Sequence, residues 1–192
     1  MVLGVGAGYH ELQVRWLGAD FHGRGARLDE YILAMRELWT TPLARFEGRH
    51  VAFSDVVFEP RPIQPRGPRI VIGGSGPAVF RRVAQLADGW HPVNLTPAQY
   101  AAGLTQIHAL ASGRPVEGSL RIRAGLDRRL ETAVSLDGSV AEIRTRIGEY
   151  QAAGVEHLVV SFEDDLQTFL EDMRRFASEV CPAFRDRSAP AR

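Results

Sequence analysis

A chain of 192 residues with 45% hydrophobic and 24% charged content carries enough apolar material to bury a sizeable core, which excludes a disordered chain. Its 23 basic and 23 acidic residues cancel, so no net field favours nucleic acid, an anionic membrane or a highly charged partner, and recognition must come from a local site. Every basic residue is Arg, which removes a Walker-type phosphate lysine, a Schiff-base lysine and a lysine general base, while the single Cys181 removes an intrachain disulfide and a Cys-cluster zinc site.

The amino terminus lacks a basic segment followed by an apolar run, and no apolar stretch approaches the roughly 20 residues of a membrane span, so a cytoplasmic location is expected. Val2 to Val5 is a short apolar strand closed by glycines, with no helix expected directly after it. An amphipathic helix follows from Leu28 to Trp39, placing Leu28, Ile32, Met35 and Trp39 on one face. Phe46 to Phe53, with Gly48 among β-prone residues, predicts a hairpin outside the regular alternation, ended by a proline-rich connector from Pro60 to Pro68.

Arg69-Ile70-Val71-Ile72 reads as a buried strand, followed by Gly73-Gly74-Ser75-Gly76 and a helix whose Pro77 suits the first turn. Gly89 to Val93 is a further short strand, and Thr96-Pro97 opens a helix running to about Leu110 as N-cap and first residue. Leu120 to Val134 reads as extended, after which Ser139 caps a helix that Gly154 stops.

The last unit pairs the strand His157 to Ser161 with a helix from Leu166 to about Val180 whose Leu166, Phe169, Leu170, Met173 and Phe176 are expected to face the core. Cys181 is expected to be buried or half-buried, and the polar stretch from Arg185 to Arg192 to be a flexible tail, leaving residues 1–184 as the domain. Five strand-and-helix units in order indicate an α/β fold with a parallel, helix-covered sheet, either doubly wound or a barrel.

Three segments carry chemical information. Gly4-Val5-Gly6-Ala7-Gly8-Tyr9-His10-Glu11 permits close backbone approach, but its GxGxG spacing and the nearness of Glu11 fit a Rossmann fingerprint poorly. A strand bend packing on a neighbour explains it as well as cofactor contact does. In Ile72-Gly73-Gly74-Ser75-Gly76, unencumbered N–H groups and a helix amino terminus make an anion site for which phosphate is the natural guest, the alternative being a tight turn with Ser75 as an ordinary cap. Ala87-Asp88-Gly89-Trp90 is a helix end running straight into a strand with a buried aromatic. Arg24, Arg27, Asp29 and Glu30 read as ion pairs and helix-start charges, and no His/Asp/Glu spacing makes a metal site.

Together these segments resemble the luciferase-like monooxygenase superfamily, in particular its branch using the deazaflavin coenzyme F420. The resemblance runs through Leu3-Gly4-Val5-Gly6-Ala7-Gly8-Tyr9, Arg27-Leu28-Asp29-Glu30, Phe46-Glu47-Gly48, Pro60-Arg61-Pro62-Ile63-Gln64, Pro68 to Ser75 and Ala87-Asp88-Gly89-Trp90, with Ala153-Gly154-Val155 fitting less diagnostically. It implies a partial (β/α)8 TIM barrel of about five βα units matching the fourth to eighth strands, with the cofactor at the carboxyl ends of the strands. Gly73, Gly74 and Ser75 then look like the phosphate loop; Gly6, Ala7 and His10 look like the loop beside the ring edge and ribityl chain; Trp90 flanks the phosphate or the substrate mouth, with His91 beside it.

What the resemblance implies for function is an oxidoreductase in which reduced coenzyme F420, the preferred cofactor, delivers hydride to an organic small-molecule acceptor, or in which FMN supports monooxygenation. The family's first three strands and much of its acid–base chemistry have no counterpart here, so a five-strand set is expected to expose two sheet edges. A homo-oligomer or complementing chain would cover them. A non-catalytic remnant or complementing subunit that keeps only a phosphate- or flavin-binding loop is the competing expectation.

Overall fold

The apolar run Arg69–Ile72, closed by glycines, forms a strand, and Thr96, Ser139 and Asp165 cap the helices that follow them. The structure, a computed structural model, describes residues 1–162 and 165–184, so the tail expected at 185–192 lies outside the described residues. The chain divides into two compact units, Met1–His91 with Gln106–Glu117, and Pro92–Thr105 with the described residues from Gly118 onward.

In the first unit the order is β1 (Val2–Val5), α1 (Glu11–Trp16), α2 (Arg24–Thr40), β2 (Ala44–Glu47), β3 (Ala52–Val56), β4 (Arg69–Ile72), α3 (Pro77–Leu86) and β5 (Gly89–Trp90). Strands β1, β4 and β5 are parallel, with Val5 opposite Ile72 and Ile72 opposite Trp90. Ile70 and Ile72 alternate into a core that also holds Ile32, Phe80, Val83 and Trp90. The antiparallel pair β2–β3 is the expected hairpin outside the alternation, with Phe46 and Phe53 stacked at 6.0 Å. Its turn is tied to α2 by Glu30, whose carboxylate accepts the N–H groups of Arg49, His50 and Val51 at 2.9, 2.6 and 2.6 Å.

The second unit contains β6 (Glu117–Leu126, from Gly118), β7 (Leu136–Gly138), α5 (Val140–Ala152), β8 (His157–Ser161) and α6 (Leu166–Arg175), the last continued by a π-helical turn Phe176–Val180 and a 3-10 turn Cys181–Ala183. Both β7 and β8 run parallel to β6. Before them, α4 (Pro97–Leu110) opens with Thr96 and Gln99 exchanging side-chain-to-backbone bonds at 3.2 and 3.0 Å. Ser139 likewise forms a reciprocal capping box with Glu142 at the start of α5. The core of this unit is Tyr100, Leu120, Ile122, Leu136, Ile143, Tyr150 and Phe176. Cys181 is half-buried.

Five βα units therefore follow one another as expected, with local differences that have physical causes. A helix does open directly after the glycine loop: α1 is held by its Glu11–Arg15 ion pair one turn apart, at 2.6 Å. Helix α2 starts a turn before Leu28, because its first turn is polar and invisible to apolar periodicity. The extended stretch expected to Val134 breaks at Leu126, where Asp127 takes a left-handed φ of 55°. Strand β5 ends at Trp90 rather than Val93; Pro92 interrupts it, though Val93 still bridges to Arg121. The last helix also departs from expectation in its face. Leu166 and Met173 are 70% and 42% exposed, and Asp172, which accepts from Arg128 Nη2 at 2.5 Å, is buried with Phe176 instead.

Candidate functional site

Parallel register brings the carboxyl ends of β1, β4 and β5 side by side. Gly73 donates its N–H to the Val5 carbonyl and His91 donates its N–H to the Ile72 carbonyl, both at 2.9 Å, so the residues that leave the three strands, Gly6, Gly73 and His91, begin at one level. Gly73 sits between its neighbours: a Cβ there would lie 3.4 Å from the His91 carbonyl oxygen and 3.8 Å from that of Val5. Gly74 and Gly76 take φ values of +97° and +99°, which side chains rarely adopt, and Gly76 is the N-cap of α3.

Because Gly76 has no side chain and Pro77 has no N–H, the amino end of α3 is left with the free N–H groups of Ala78 and Val79 and no acidic residue in its first turn. Its partial positive charge is thus uncompensated from within the helix. Ser75 is exposed at this turn.

Trp90 lies behind the turn rather than lining its open side: it is 0% exposed, meets Phe80 edge-on at 5.5 Å, and donates its indole Nε1–H to the Gly74 carbonyl at 2.9 Å. Two residues earlier, Asp88 fastens β5 to β4. Its N–H donates to the Ile70 carbonyl at 2.7 Å, and its carboxylate accepts from the Ile70 N–H at 2.8 Å and from Arg36 Nη2 at 2.6 Å. Burial opposes ionisation of that carboxyl, but the Ile70 N–H and the Arg36 guanidinium outweigh it and hold the pKa below the usual aspartate value.

The opening glycine loop is also braced. Arg24 donates through Nε to the Gly8 carbonyl at 2.9 Å and through Nη1 to the Phe21 carbonyl at 2.7 Å, with its guanidinium 3.6 Å above the Phe21 ring. Gly6 is exposed and Ala7 half-buried, and both border a hollow of about 210 Å3 with Val14, Leu17, Arg24 and Tyr31. A second, apolar hollow of about 610 Å3 adjoins Gly6 between β1 and α2.

Of the residues singled out from sequence, Gly6 and Gly73 to Ser75 are gathered at adjacent strand ends. His10 is set apart as the exposed N-cap of α1, with its ring edge-on to Tyr9 at 6.3 Å. Asp29 pairs with the buried Arg82, and Glu30 holds the hairpin, so the charges read as structural are structural. Sequence reading missed the bracing of the loops by Arg24 and Asp88; both act across the fold, and only their residue types hint at it. Among the described residues, no group of His, Cys, Asp or Glu converges as a metal site, and no helix is long and apolar enough to cross a membrane.

Comparison with known proteins gives the family. The model of the family described as luciferase-like monooxygenase matches residues 1–131. The F420-dependent glucose-6-phosphate dehydrogenase of Nakamurella multipartita is 34% identical over 140 residues, covering 71% of this chain and 40% of that protein. The chain thus spans less than half the length of that curated relative. Among solved structures, the coenzyme F420-dependent tetrahydromethanopterin reductase of Methanopyrus kandleri superposes with a TM-score of 0.80 at 14% identity, over 96% of this chain and 74% of that one. The oxygenating constituent of 3,6-diketocamphane monooxygenase from Pseudomonas putida, solved with FMN, gives 0.73 at 13% identity, over 94% and 70%. At these identities the likeness shows the fold alone, and it resolves the choice between a doubly wound sheet and a barrel in favour of a partial TIM barrel. With its family model matched through residue 131, the chain belongs to the luciferase-like monooxygenases.

Proposed function

We propose that the Gly73-Gly74-Ser75 turn and the amino end of α3 bind the phosphate of a flavin-type cofactor, coenzyme F420 in preference to FMN, for an oxidoreductase acting on a small organic acceptor. The observation that carries this is the turn itself: Gly74 and Gly76 take positive φ values that side chains rarely adopt, and they lead the backbone into a helix terminus with no side-chain cap. Ser75 adds a hydroxyl at the same turn. Gly6 and Ala7, level with Gly73 on the neighbouring strand, would lie along the ring edge and ribityl chain, with His10 at the outer end of that loop. When bound, reduced F420 supplies a hydride equivalent to an electrophilic carbon, whereas FMN supports monooxygenation. The preference for F420 is supported by the Gly-Ala-Gly-Tyr and Ile-Gly-Gly-Ser segments and by the F420-dependent relative.

A second reading, binding without turnover, is favoured by one observation: Gly6, Ala7, Gly73, Gly74 and Ser75 carry no general acid or base. In that case a second copy or a complementing chain would supply the rest of the site.

The test is cofactor binding by fluorescence, with F420 and FMN titrated into the wild type and Gly74→Asp. The substitution forces a side chain into a left-handed backbone site 3.4 Å from Val79 Cγ2 and adds a charge of the same sign as phosphate, so binding should be abolished while the melting curve stays cooperative. Unchanged binding removes this turn from the site. Tight FMN binding with no affinity for F420 overturns the cofactor preference, and binding with no oxidation of the reduced cofactor by any acceptor supports the second reading.

A further inference from the structure

We infer that Trp90 is a positioning residue that sets the polarity of the Gly74–Ser75 peptide, holding its carbonyl inward so that its N–H faces the anion; this rests on the phosphate-loop reading above. The Gly74–Ser75 bond is trans, and in a trans peptide the C=O and the following N–H point in opposite directions. The indole that donates to the Gly74 carbonyl belongs to a side chain with no exposed surface, so that carbonyl points into the protein. The Ser75 N–H therefore points to the opposite, exposed side.

Glycine makes this control necessary. Rotating this peptide changes ψ of Gly74 together with φ of Ser75, and Gly74 has no Cβ to oppose the first of these changes. One orientation offers a donor to the bound anion; the other offers a carbonyl oxygen, which repels it. Trp90 selects the first by supplying an inward donor that the carbonyl would lose on rotating. The ring is itself held in place: Phe80 meets it edge-on at an interplanar angle of 90°, and the Phe80 N–H donates to the Gly76 carbonyl at 3.0 Å in the same turn. The strand pairing of Trp90 with Ile72 fixes its height beside the loop.

The decisive experiment compares FMN with riboflavin, and F420 with its phosphate-free chromophore, on the wild type and Trp90→Phe. Phenylalanine keeps an aromatic ring against Phe80 but removes the N–H and leaves a small cavity, whose effect falls on both kinds of ligand alike. The expected result is a loss of affinity about tenfold greater for the phosphorylated ligands than for the phosphate-free ones, the scale of one lost hydrogen bond. An equal loss for both kinds of ligand marks a merely structural role and overturns the inference, as does an unchanged preference for phosphate. Because Trp90→Phe could fail to fold, a wild-type measurement accompanies it: titration with inorganic phosphate, read by nuclear magnetic resonance, should shift the Ser75 amide and the Trp90 indole N–H together, since an anion on one end of the peptide makes its other end a stronger acceptor. A Ser75 shift without an indole shift overturns the inference and leaves the phosphate-loop reading standing. A wild type that binds FMN no better than riboflavin, with no Ser75 response to phosphate, overturns that reading itself.

Discussion

Asp88→Ala tests the joint on which the loops depend. In the wild type, the Asp88 carboxylate accepts from the Ile70 N–H at 2.8 Å and from Arg36 Nη2 at 2.6 Å. Hydrogen bonds to charged groups contribute about 1.5–3 kcal/mol each. Arg36 keeps the carbonyls of Arg66 and Pro68 as acceptors, at 2.5 and 3.3 Å, so its loss belongs at the low end. The Ile70 N–H is left without its acceptor at a largely enclosed position. Together the cost is about 3 kcal/mol, or about 6–12 °C in Tm for a protein of this size. Asp88→Asn, which keeps an acceptor for Ile70 and loses the charge, should cost about half as much. Thermal melts across pH provide the assay. The folded Asp88 carboxyl has its pKa below the usual 3.8, so its contribution is complete above that value and disappears as pH falls through the folded pKa; the gap between wild type and Asp88→Ala should close in acid. A gap under about 0.5 kcal/mol at neutral pH, or one that persists in strong acid, would refute the reasoning.

Two predictions concern the second unit. The carboxyl of Glu142 is held at about 2 by the Ser139 N–H and hydroxyl, then by Arg129, so its stabilising effect is present above 4.5 and fades as pH falls toward 2; Glu142→Gln should flatten the acid limb of a Tm–pH profile, and an unaltered limb would count against the capping box. Burial pushes the Tyr150 hydroxyl up to about 12 while it donates to the Leu95 carbonyl at 2.8 Å, so its contribution is complete below 10 and lost as pH rises through about 12. Tyr150→Phe should cost about 1 kcal/mol and remove the phenolate transition near 12, leaving the one that burial pushes higher still at Tyr100; persistence of the transition near 12 would assign it elsewhere.

Where local chemistry decides an element, the sequence was enough. Arg69 to Ile72, the glycine turn and Pro77 form strand, loop and helix start at the positions their types dictate, as do Thr96 and Ser139 at their helix starts. Helix α1 escaped because six residues give no stretch of periodicity, and Leu12 and Trp16, a turn apart, are both exposed. On α6 and the π-helical turn that continues it, Phe169, Leu170 and Phe176 turn inward as expected, but Leu166 and Met173 do not, because the Arg128–Asp172 pair, whose residues are 44 positions apart, buries a carboxylate on that helix. The glycine turn after β4 was legible for the reason β4 was: an apolar run followed by glycines is a strand that ends in a turn. The roles of Trp90 and Arg24 were not, since each acts on a backbone carbonyl 16 residues away and only the fold makes that partner near.

Stability and site geometry meet in the short segment from Asp88 to Trp90. A parallel pair of strands resists sliding only as far as its bonds specify register, and β5 contributes only two residues to the sheet. Asp88 compensates by gripping both the N–H and the carbonyl of Ile70, which fixes Gly89 opposite Val71 and Trp90 opposite Ile72. A slip of one residue would turn the indole to the other face of the sheet and take its N–H away from the Gly74 carbonyl. The orientation of a single peptide in an exposed glycine turn thus depends on a carboxylate at the far end of a two-residue strand, which is why the aspartate and the tryptophan must stand at this spacing for the turn to present a donor outward.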